Sequence, residues 1–572
     1  MSTSDTTTSA TTTSVVGTLA DFGEGTMKMA KVGTRRVAVI RTPSGLHALD
    51  NACPHEGYGL VTGALKGEVV TCQWHNWDFD VRDGSCLKGE EAVPCHRVTV
   101  DGDEVSVTVT EPSNAELRAT LIPSLRSGLE QHYTGQVARD TARLVEAEAR
   151  PAEVMAEAVS YGAARNNWGI GHEIAMAADC LAWSEIRTGQ EAVLPLVHGL
   201  AGIAETARGR PARDVPAADA SIDFAEAIES EDIEGAMASV LGAIEAGDDP
   251  STIRNRFIES VSQHHLGYGH GIIYTQKSFE MLDRMGWDQA PELLPHLAAS
   301  VGWSTREDLL PYMRKAMRQI ETLDLEALAT ADDRLATSWS DPDLIDTMLT
   351  ATDAPITVAA DAVLAGAGIE GLLDAVTIGS ARRLMRHDLD VEFDMAEDFG
   401  WLDITHALTM CRAVRWAWRA HPGPHTARLA MFAAWLLFDS GRAERRYGVG
   451  DQPTITPVAG DAEVLQRAIR HRDATTAMSW VAGSQRLDAV AALTEAALAD
   501  QSGSFIVTAH VIKLTQASAE EAEVLSRSWP EFAMAPLVAS ARFLAAPRLE
   551  RFVTRNVVAS QEFVRTGAPP KR

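Results

Sequence analysis

The sequence predicts a multidomain chain in which a small antiparallel β domain is followed by a large all-α region built from two related halves. Three observations carry this. From Val15 to about Glu111 the chain reads as short runs rich in Val and Thr, such as RRVAVIRT and HRVTVDGDEVSVTVT, punctuated by Asp-Gly turns. After Pro112 the apolar residues recur at three- and four-residue spacing in Ala- and Leu-rich segments such as IAMAADCLAW and ARLAMFAAWLLF, the pattern of buried helices. Within that region EAVSYGAAR (157–165) returns as DAVTIGSAR (374–382), and HGIIYTQKS (270–278) returns as HVIKLTQAS (510–518), in the same order. Two ordered matches indicate two copies of one unit, and a shared interface between copies is where both can offer side chains to one centre.

The boundaries follow from composition. Residues 1–14 are a Ser/Thr tract without the charged and apolar regions of a secretory signal and read as a disordered tail. The β domain is expected over 15–112, with Pro112, Ser113 and Asn114 marking its end, and the helical region over 113–572, its halves at about 150–310 and 367–545. A net charge of −28 repels phosphate backbones and anionic lipid, so neither nucleic acid nor membrane is an expected partner. No apolar run approaches the roughly 18 residues that span a bilayer. Six cysteines in 572 residues give no disulfide framework and fit a reducing, cytoplasmic setting.

Two short boxes carry the chemistry of the β domain. Cys53-Pro54-His55 and Cys72-Gln73-Trp74-His75 stand sixteen residues apart and offer two thiolates and two imidazoles, one of each per loop. Thiolates suit one iron of a [2Fe–2S] cluster and neutral imidazoles the other. Tetrahedral zinc is the alternative at this spacing. The surroundings, NACPHEG in the first box and CQWHNWDFD in the second, then Asp83-Gly84 and Val93-Pro94, resemble the Rieske family over roughly residues 15–110. The resemblance implies a [2Fe–2S] cluster on Cys53, His55, Cys72 and His75. No further cysteine flanks either box, so the domain is similar to the ferredoxin and oxygenase type. Asn76 stands where that type commonly has Gly, and Cys86 and Cys95 are expected as buried small residues outside the ligand set.

A one-electron cluster fused to a large domain implies an electron acceptor. The Asp-x-x-His-x4-His iron motif of the β-rich Rieske oxygenases is present only in fragments, Asp403…His406 and His265…His270, and the helical pattern disagrees with that fold. The duplication supplies another set. His270 and His510 hold one place in the repeat, and His172 and His406 each open a helix after a Trp; the offsets are 240 and 234 residues, one register with a short insertion. Four histidines so related can converge on one metal, and the cluster makes a redox iron the consistent choice. His265 and Asp403 are reserve or supporting candidates.

The helical region resembles the questin oxidase-like family through His172-Glu173-Ile174, His270-Gly271-Ile272, His406-Ala407-Leu408 and His510-Val511-Ile512-Lys513, with Leu194-Pro195 and Leu294-Pro295 about 25 residues after a histidine. This resemblance implies a mononuclear non-haem iron oxygenase acting on anthraquinones and related aromatic polyketides, cleaving or oxygenating ring bonds. It also implies a metal-site role for the lysine of His-x-x-Lys. Lys513 lies one turn beyond His510, where the other copy has Ile273, so the repeated fold does not demand it. A deprotonated Lys513 could bind iron or add CO2 to form an anionic carbamate, whereas a lysine packing its stem on the helix surface is the bland reading. Trp168, Trp183, Trp401, Trp416 and Trp418 are candidates for a pocket wall, with core filling as the alternative, and Arg165 and Arg382 are expected to bridge helices.

The expectation is therefore an O2-dependent oxygenase. A ferredoxin or NAD(P)H-dependent reductase would feed the cluster, the cluster an iron on His172, His270, His406, His510 and Lys513, and a small aromatic molecule would be the substrate. The alternative is an electron-transfer protein with a non-catalytic helical docking domain.

Overall fold

The computed structural model describes residues 10–547, apart from 90, 333–341, 351–354, 395–398, 451–452 and 501, together with 557, 560, 561 and 565. The chain divides into two compact units, 1–150 and 151–572.

Among the described residues the first unit has ten strands: β1 (Ala10–Thr18), β2 (Met27–Val32), β3 (Arg35–Thr42), β4 (Gly45–Asp50), β5 (Ala64–Lys66), β6 (Val69–Thr71), β7 (Asp78–Asp80), β8 (Cys86–Lys88), β9 (Cys95–Asp101) and β10 (Glu104–Glu111). They form two antiparallel sheets, a larger one in the order β1-β10-β9-β4-β3-β2 and a smaller one in the order β5-β6-β7-β8. Strand β3 is buried on both faces. Val37 and Val39 pack with Val105, Val107 and Val109, while Ala38 and Ile40 turn to a second core with Leu60, Val70, Cys72 and Phe79.

Two boundaries differ from the sequence expectation. Residues 10–14 do not belong to a disordered tail: they open β1, which runs antiparallel to β10 from Ala10 opposite Glu111. Alternating threonines suit a pleated edge, and Thr13 and Thr108 join their hydroxyls across the pair at 2.9 Å. Residues 1–9 lie outside the described residues. The unit also ends at Arg150 rather than at 112, because α1 (Asn114–Glu130) and α2 (Thr134–Glu146) are part of it. Buried Glu91 holds them there, accepting from Arg139 Nε at 2.9 Å and Arg143 Nη1 at 2.6 Å. A composition change marks where strands stop, and carries no trace of such ion pairs.

The second unit is helical throughout the described residues. Its first copy comprises α3 (Pro151–Gly162), α4 (His172–Glu185), α5 (Val193–Ala207), α6 (Phe224–Glu229), α7 (Ile233–Glu245), α8 (Pro250–Ser262), α9 (His270–Met285) and α10 (Ala290–Trp303). Connecting helices follow: α11 (Arg314–Ile320), α12 (Leu325–Ala329), α13 (Pro342–Thr350) and α14 (Pro355–Ala362). The second copy contains α15 (Gly368–Arg386), α16 (Leu389–Phe393), α17 (Trp401–Ala420), α18 (Pro424–Asp439), α19 (Arg442–Tyr447), α20 (Ala462–Arg470), α21 (Ala474–Gly483), α22 (Arg486–Ala497), α23 (Phe505–Ser528) and α24 (Ala535–Ala545).

The packing partners repeat as the sequence segments do. Helix α4 packs on α3, α5 and α9, and α17 on α15, α18 and α23; α7 packs on α6 and α10, and α21 on α20 and α24. The copies join where α4 meets α23 and α9 meets α17, which closes a four-helix ring at the centre of the unit. The helices that the repeat equates are therefore the ones that share the axis.

Among the described residues one span, Pro355–Arg386, is long and apolar enough by length and composition to cross a membrane, with mean hydropathy 1.6. The sequence reading missed it because Asp361, Glu370 and Asp374 interrupt the apolar run. It turns at Gly366 (φ +110°). Its second part, α15, is a core helix here. Asp374 reaches Arg415 at 3.0 Å, and Arg415 also pairs with Glu521 at 2.9 Å and with Glu370. Thr377 completes this buried network by donating to Glu521 at 2.6 Å. Truncating Arg415 to Met leaves the buried Glu521 with Thr377 but without its cation, so it should destabilise the helical unit by about 3–5 kcal/mol. Calorimetric unfolding should show this as a lowered midpoint for that unit.

Candidate functional site

In the first unit the two boxes close as matching loops, the first following β4 and the second joining β6 to β7. Cys53 N donates to Tyr58 O at 2.8 Å while Gly57 N donates to Cys53 O; Cys72 N donates to Trp77 O at 2.8 Å while Asn76 N donates to Cys72 O. Each loop needs a left-handed residue four after its cysteine, supplied by Gly57 (φ +78°) and Asn76 (φ +56°). Asparagine tolerates that conformation, so Asn76 in place of Gly leaves the second loop closed like the first. Both cysteines are buried in the second β core, and burial pushes the Cys53 thiol up to about 11. His55 is half-buried against the Trp77 ring at 4.8 Å, and His75 is exposed. Their Nδ1 atoms face each other at 2.9 Å. Imidazoles bound to one metal at about 2.1 Å and roughly at right angles bring their nitrogens to about 3 Å, so the pair fits a common iron.

Cys86 is half-buried and Cys95 exposed, against the expectation that both are buried: Cys86 lies on the edge strand β8 and Cys95 is the first residue of β9.

In the second unit the ring of helices brings His172, His270, His406 and His510 to one place. Neighbouring ring centres are 4.7 Å (172–270), 4.5 Å (270–406), 5.0 Å (406–510) and 4.7 Å (510–172) apart, with 6.5 Å across the 172–406 diagonal. His172 and His270 are the first residues of α4 and α9, and His406 and His510 sit in the second turns of α17 and α23. Three of the rings are aimed by backbone carbonyls. His406 Nδ1–H donates to Leu402 O at 2.7 Å, His510 Nδ1–H to Ile506 O at 2.7 Å, and His270 Nδ1–H to Gly267 O.

That tautomer leaves each Nε2 bare and turned inward. His270 and His406 place their Nε2 atoms 2.9 Å apart, and His510 Nε2 is buried without a hydrogen-bond partner. Protonation is no remedy, because burial and the neighbouring basic groups hold all four histidines below the ordinary imidazole value, His270 at about 3. Facing lone pairs repel unless a cation lies among them, so the donor set fits a metal ion. Lys513 is buried, with Nζ 2.6 Å from His172 Nδ1, and burial brings its ammonium down to about 7. A neutral amine there can accept Nδ1–H and leave His172 with a bare Nε2 as well.

A cavity of about 380 Å³ opens on this cluster, with Trp168, His172, Glu173, His270, Tyr274 and Trp303 in its wall. Of the tryptophans singled out in the sequence only Trp168 lines it. Trp183 donates to Gln516 Oε1 at 2.6 Å, Trp401 is core, and Trp416 stacks on Phe279. Trp303, Glu173 and Tyr274 were missed. Glu173 and Tyr274 follow His172 by one residue and His270 by four, and that proximity was the available signal. Asp403 accepts from Gly400 N at 2.9 Å as a helix cap. Arg382 bridges to Asp346 at 3.0 Å, whereas Arg165, in the turn that follows α3, folds back on Tyr161 near the end of α3 instead of bridging.

The Rieske [2Fe-2S] domain family matches residues 12–109. The ferredoxin component of the alkene monooxygenase system of Xanthobacter autotrophicus is 35% identical over 94 residues, 16% of this chain and 76% of that protein. The chain belongs to the Rieske [2Fe-2S] family. The oxygenase component of 3-ketosteroid-9-alpha-monooxygenase from Rhodococcus rhodochrous is 38% identical over 85 residues, 15% of this chain; the match spans about a fifth (21%) of that relative. Among solved structures, the ferredoxin of carbazole 1,9a-dioxygenase from Nocardioides aromaticivorans is 30% identical, with a TM-score of 0.17, covering 18% of this chain and 98% of that one. The Rieske domain implies a [2Fe–2S] cluster, and the two buried thiols and paired imidazoles are a donor set that fits it.

Two predictions test this geometry. Asn76→Gly should keep the Rieske absorption and circular dichroism, while Asn76→Val, strained at positive φ by about 1–2 kcal/mol, should lower cluster occupancy. The second concerns His265, buried with neither ring nitrogen partnered and packed on Phe432. Burial lowers it to about 4 from the ordinary 6.5. A depressed histidine contributes its full stability above pH 6.5 and loses it as pH falls through 4. His265→Phe should therefore flatten the acid loss of stability between those values, by up to on the order of 3 kcal/mol, in thermal midpoints measured against pH.

Proposed function

We propose that this chain is a Rieske-linked, O2-dependent non-haem iron oxygenase acting on an aromatic or polycyclic molecule of anthraquinone or polyketide type. The observation that supports it most is the square of buried, neutral histidines, in which the bare Nε2 atoms of His270 and His406 face each other and that of His510 has no hydrogen-bond partner. His172, His270, His406 and His510 would hold an iron, with Lys513 as a further ligand through its amine or a carbamate. When bound, the cluster supplies single electrons and the iron activates O2. A ferredoxin or NAD(P)H-dependent reductase is the electron source in this reading, with no nucleic-acid or membrane partner and a cytoplasmic setting.

The residues around the cavity serve that chemistry. Trp168 and Trp303 meet edge to face at 5.7 Å and offer aromatic surface to a flat ring. Glu173 accepts from Gly171 N at 2.7 Å and Asn166 Nδ2 at 3.1 Å, and burial raises its carboxyl above the ordinary value. It can therefore hold a proton beside His172. Burial likewise keeps the Tyr274 phenol protonated next to His270.

A second reading has its own support. The ferredoxin component of the alkene monooxygenase system is matched over most of its length, which favours an electron-transfer protein with a docking module. Metal analysis separates the two. The oxygenase reading expects a third, non-cluster iron per chain, lost in His270→Ala, His406→Ala and His510→Ala while the Rieske resonance signal persists. Lys513→Ala should lower the iron content, with partial return on added acetate or bicarbonate. Two irons per chain, with a Rieske signal alone, would overturn the oxygenase reading.

A further inference from the structure

We propose that Arg143 and Glu91 are a positioning pair that sets the reduction potential of the Rieske cluster, Glu91 from within the Rieske domain and Arg143 from a helical hairpin beyond it. The family match ends at residue 109, and Arg143 lies on α2.

The peptide unit between Pro54 and His55 is the link. Arg143 Nη2 donates to Pro54 O at 3.4 Å, and the backbone N–H groups of His55 and Glu56 are turned to the Cys53 sulfur. One peptide group thus accepts from a guanidinium at one end and donates to a cluster ligand at the other. Hydrogen bonds in series polarise one another. A cation on the carbonyl strengthens the N–H···S bond, and such bonds to sulfur tune cluster potential.

The charges around this link are balanced; its carboxylates are buried, while the Arg143 side chain is 41% exposed. Glu91 is 8% exposed and accepts from both Arg139 and Arg143. Asp140 is fully buried, accepts from Ser124 Oγ at 2.6 Å, and stands 3.2 Å from Arg143 Nη1. Arg139 also lies over the Tyr133 ring. Reduction adds one negative charge to the cluster, so a fixed cation nearby favours the reduced state and a fixed anion opposes it. Glu91 is buried and weakly screened, and Arg143 acts through its hydrogen bond to Pro54 O, so removing either partner should be felt at the metal.

The test uses the full chain with its cluster, titrated against redox mediators and followed by electron paramagnetic resonance and visible circular dichroism. Arg143→Met should lower the potential and Glu91→Gln should raise it. Each shift should correspond to about a three- to tenfold change in the electron-exchange equilibrium, a tenfold change being 59 mV for one electron. Arg143→Lys, which keeps the charge without the guanidinium fork, should recover part of the loss. The resonance positions should stay those of a two-histidine cluster. A purely structural role would move both variants the same way or not at all, and either result overturns the proposal. Should Arg143→Met lose its cluster, Glu91→Gln decides alone: a raised potential supports the pair, and an unchanged or lowered one overturns it.

Discussion

A buried imidazole that stays neutral has one N–H, and whatever takes that N–H decides where its lone pair points. The centre of the helical unit depends on this constraint. Leu402 O and Ile506 O, each four residues before a histidine, accept its Nδ1–H inside the first turns of α17 and α23. His270 obtains the same tautomer differently. The backbone enters α9 through Gly267, Tyr268 and Gly269, all at positive φ, which brings the Gly267 carbonyl onto the ring. The rest of the unit keeps four helix beginnings close enough for these lone pairs to meet. Two turns further along the same helices stands a second polar layer, in which Lys277 pairs with Asp179 at 2.7 Å and Glu280 at 2.9 Å.

The β unit meets a related demand by a different route. Its thiols are buried and its imidazoles lie toward solvent, so the loops need little side-chain support and rely on paired backbone hydrogen bonds. Their closure depends on glycine and asparagine adopting positive φ, and on packing behind the cysteines by Leu60, Trp77 and Phe79.

Much of this architecture is legible in the sequence. The change from period two to period 3.6 marks the two kinds of structure, and the cluster boxes carry their ligand types at short, fixed spacing. The histidines became visible as a group only through the repeat, since each alone is an ordinary helix residue. What escaped depends on partners distant in the chain. Strand β1 is a strand because β10 offers it an edge, and α1 and α2 belong with the β unit because Glu91 lies 48 residues before Arg139. Trp401 lies five residues from His406, nearly as close as Trp168 to His172, yet faces the core, because helix rotation sets direction and sequence distance does not.

The repeat has an arithmetic consequence. A centre assembled from two copies of one unit receives its side chains in pairs, so parity is built in: two from α4 and α9, two from α17 and α23. An odd contribution can come only from a position where the copies have diverged. Lys513 opposite Ile273 is such a position, and it adjoins the one histidine whose Nδ1 meets a side chain rather than a carbonyl. Around the four histidines the two-fold relation is thus broken at this pair of residues as well as in how His270 and His510 are held.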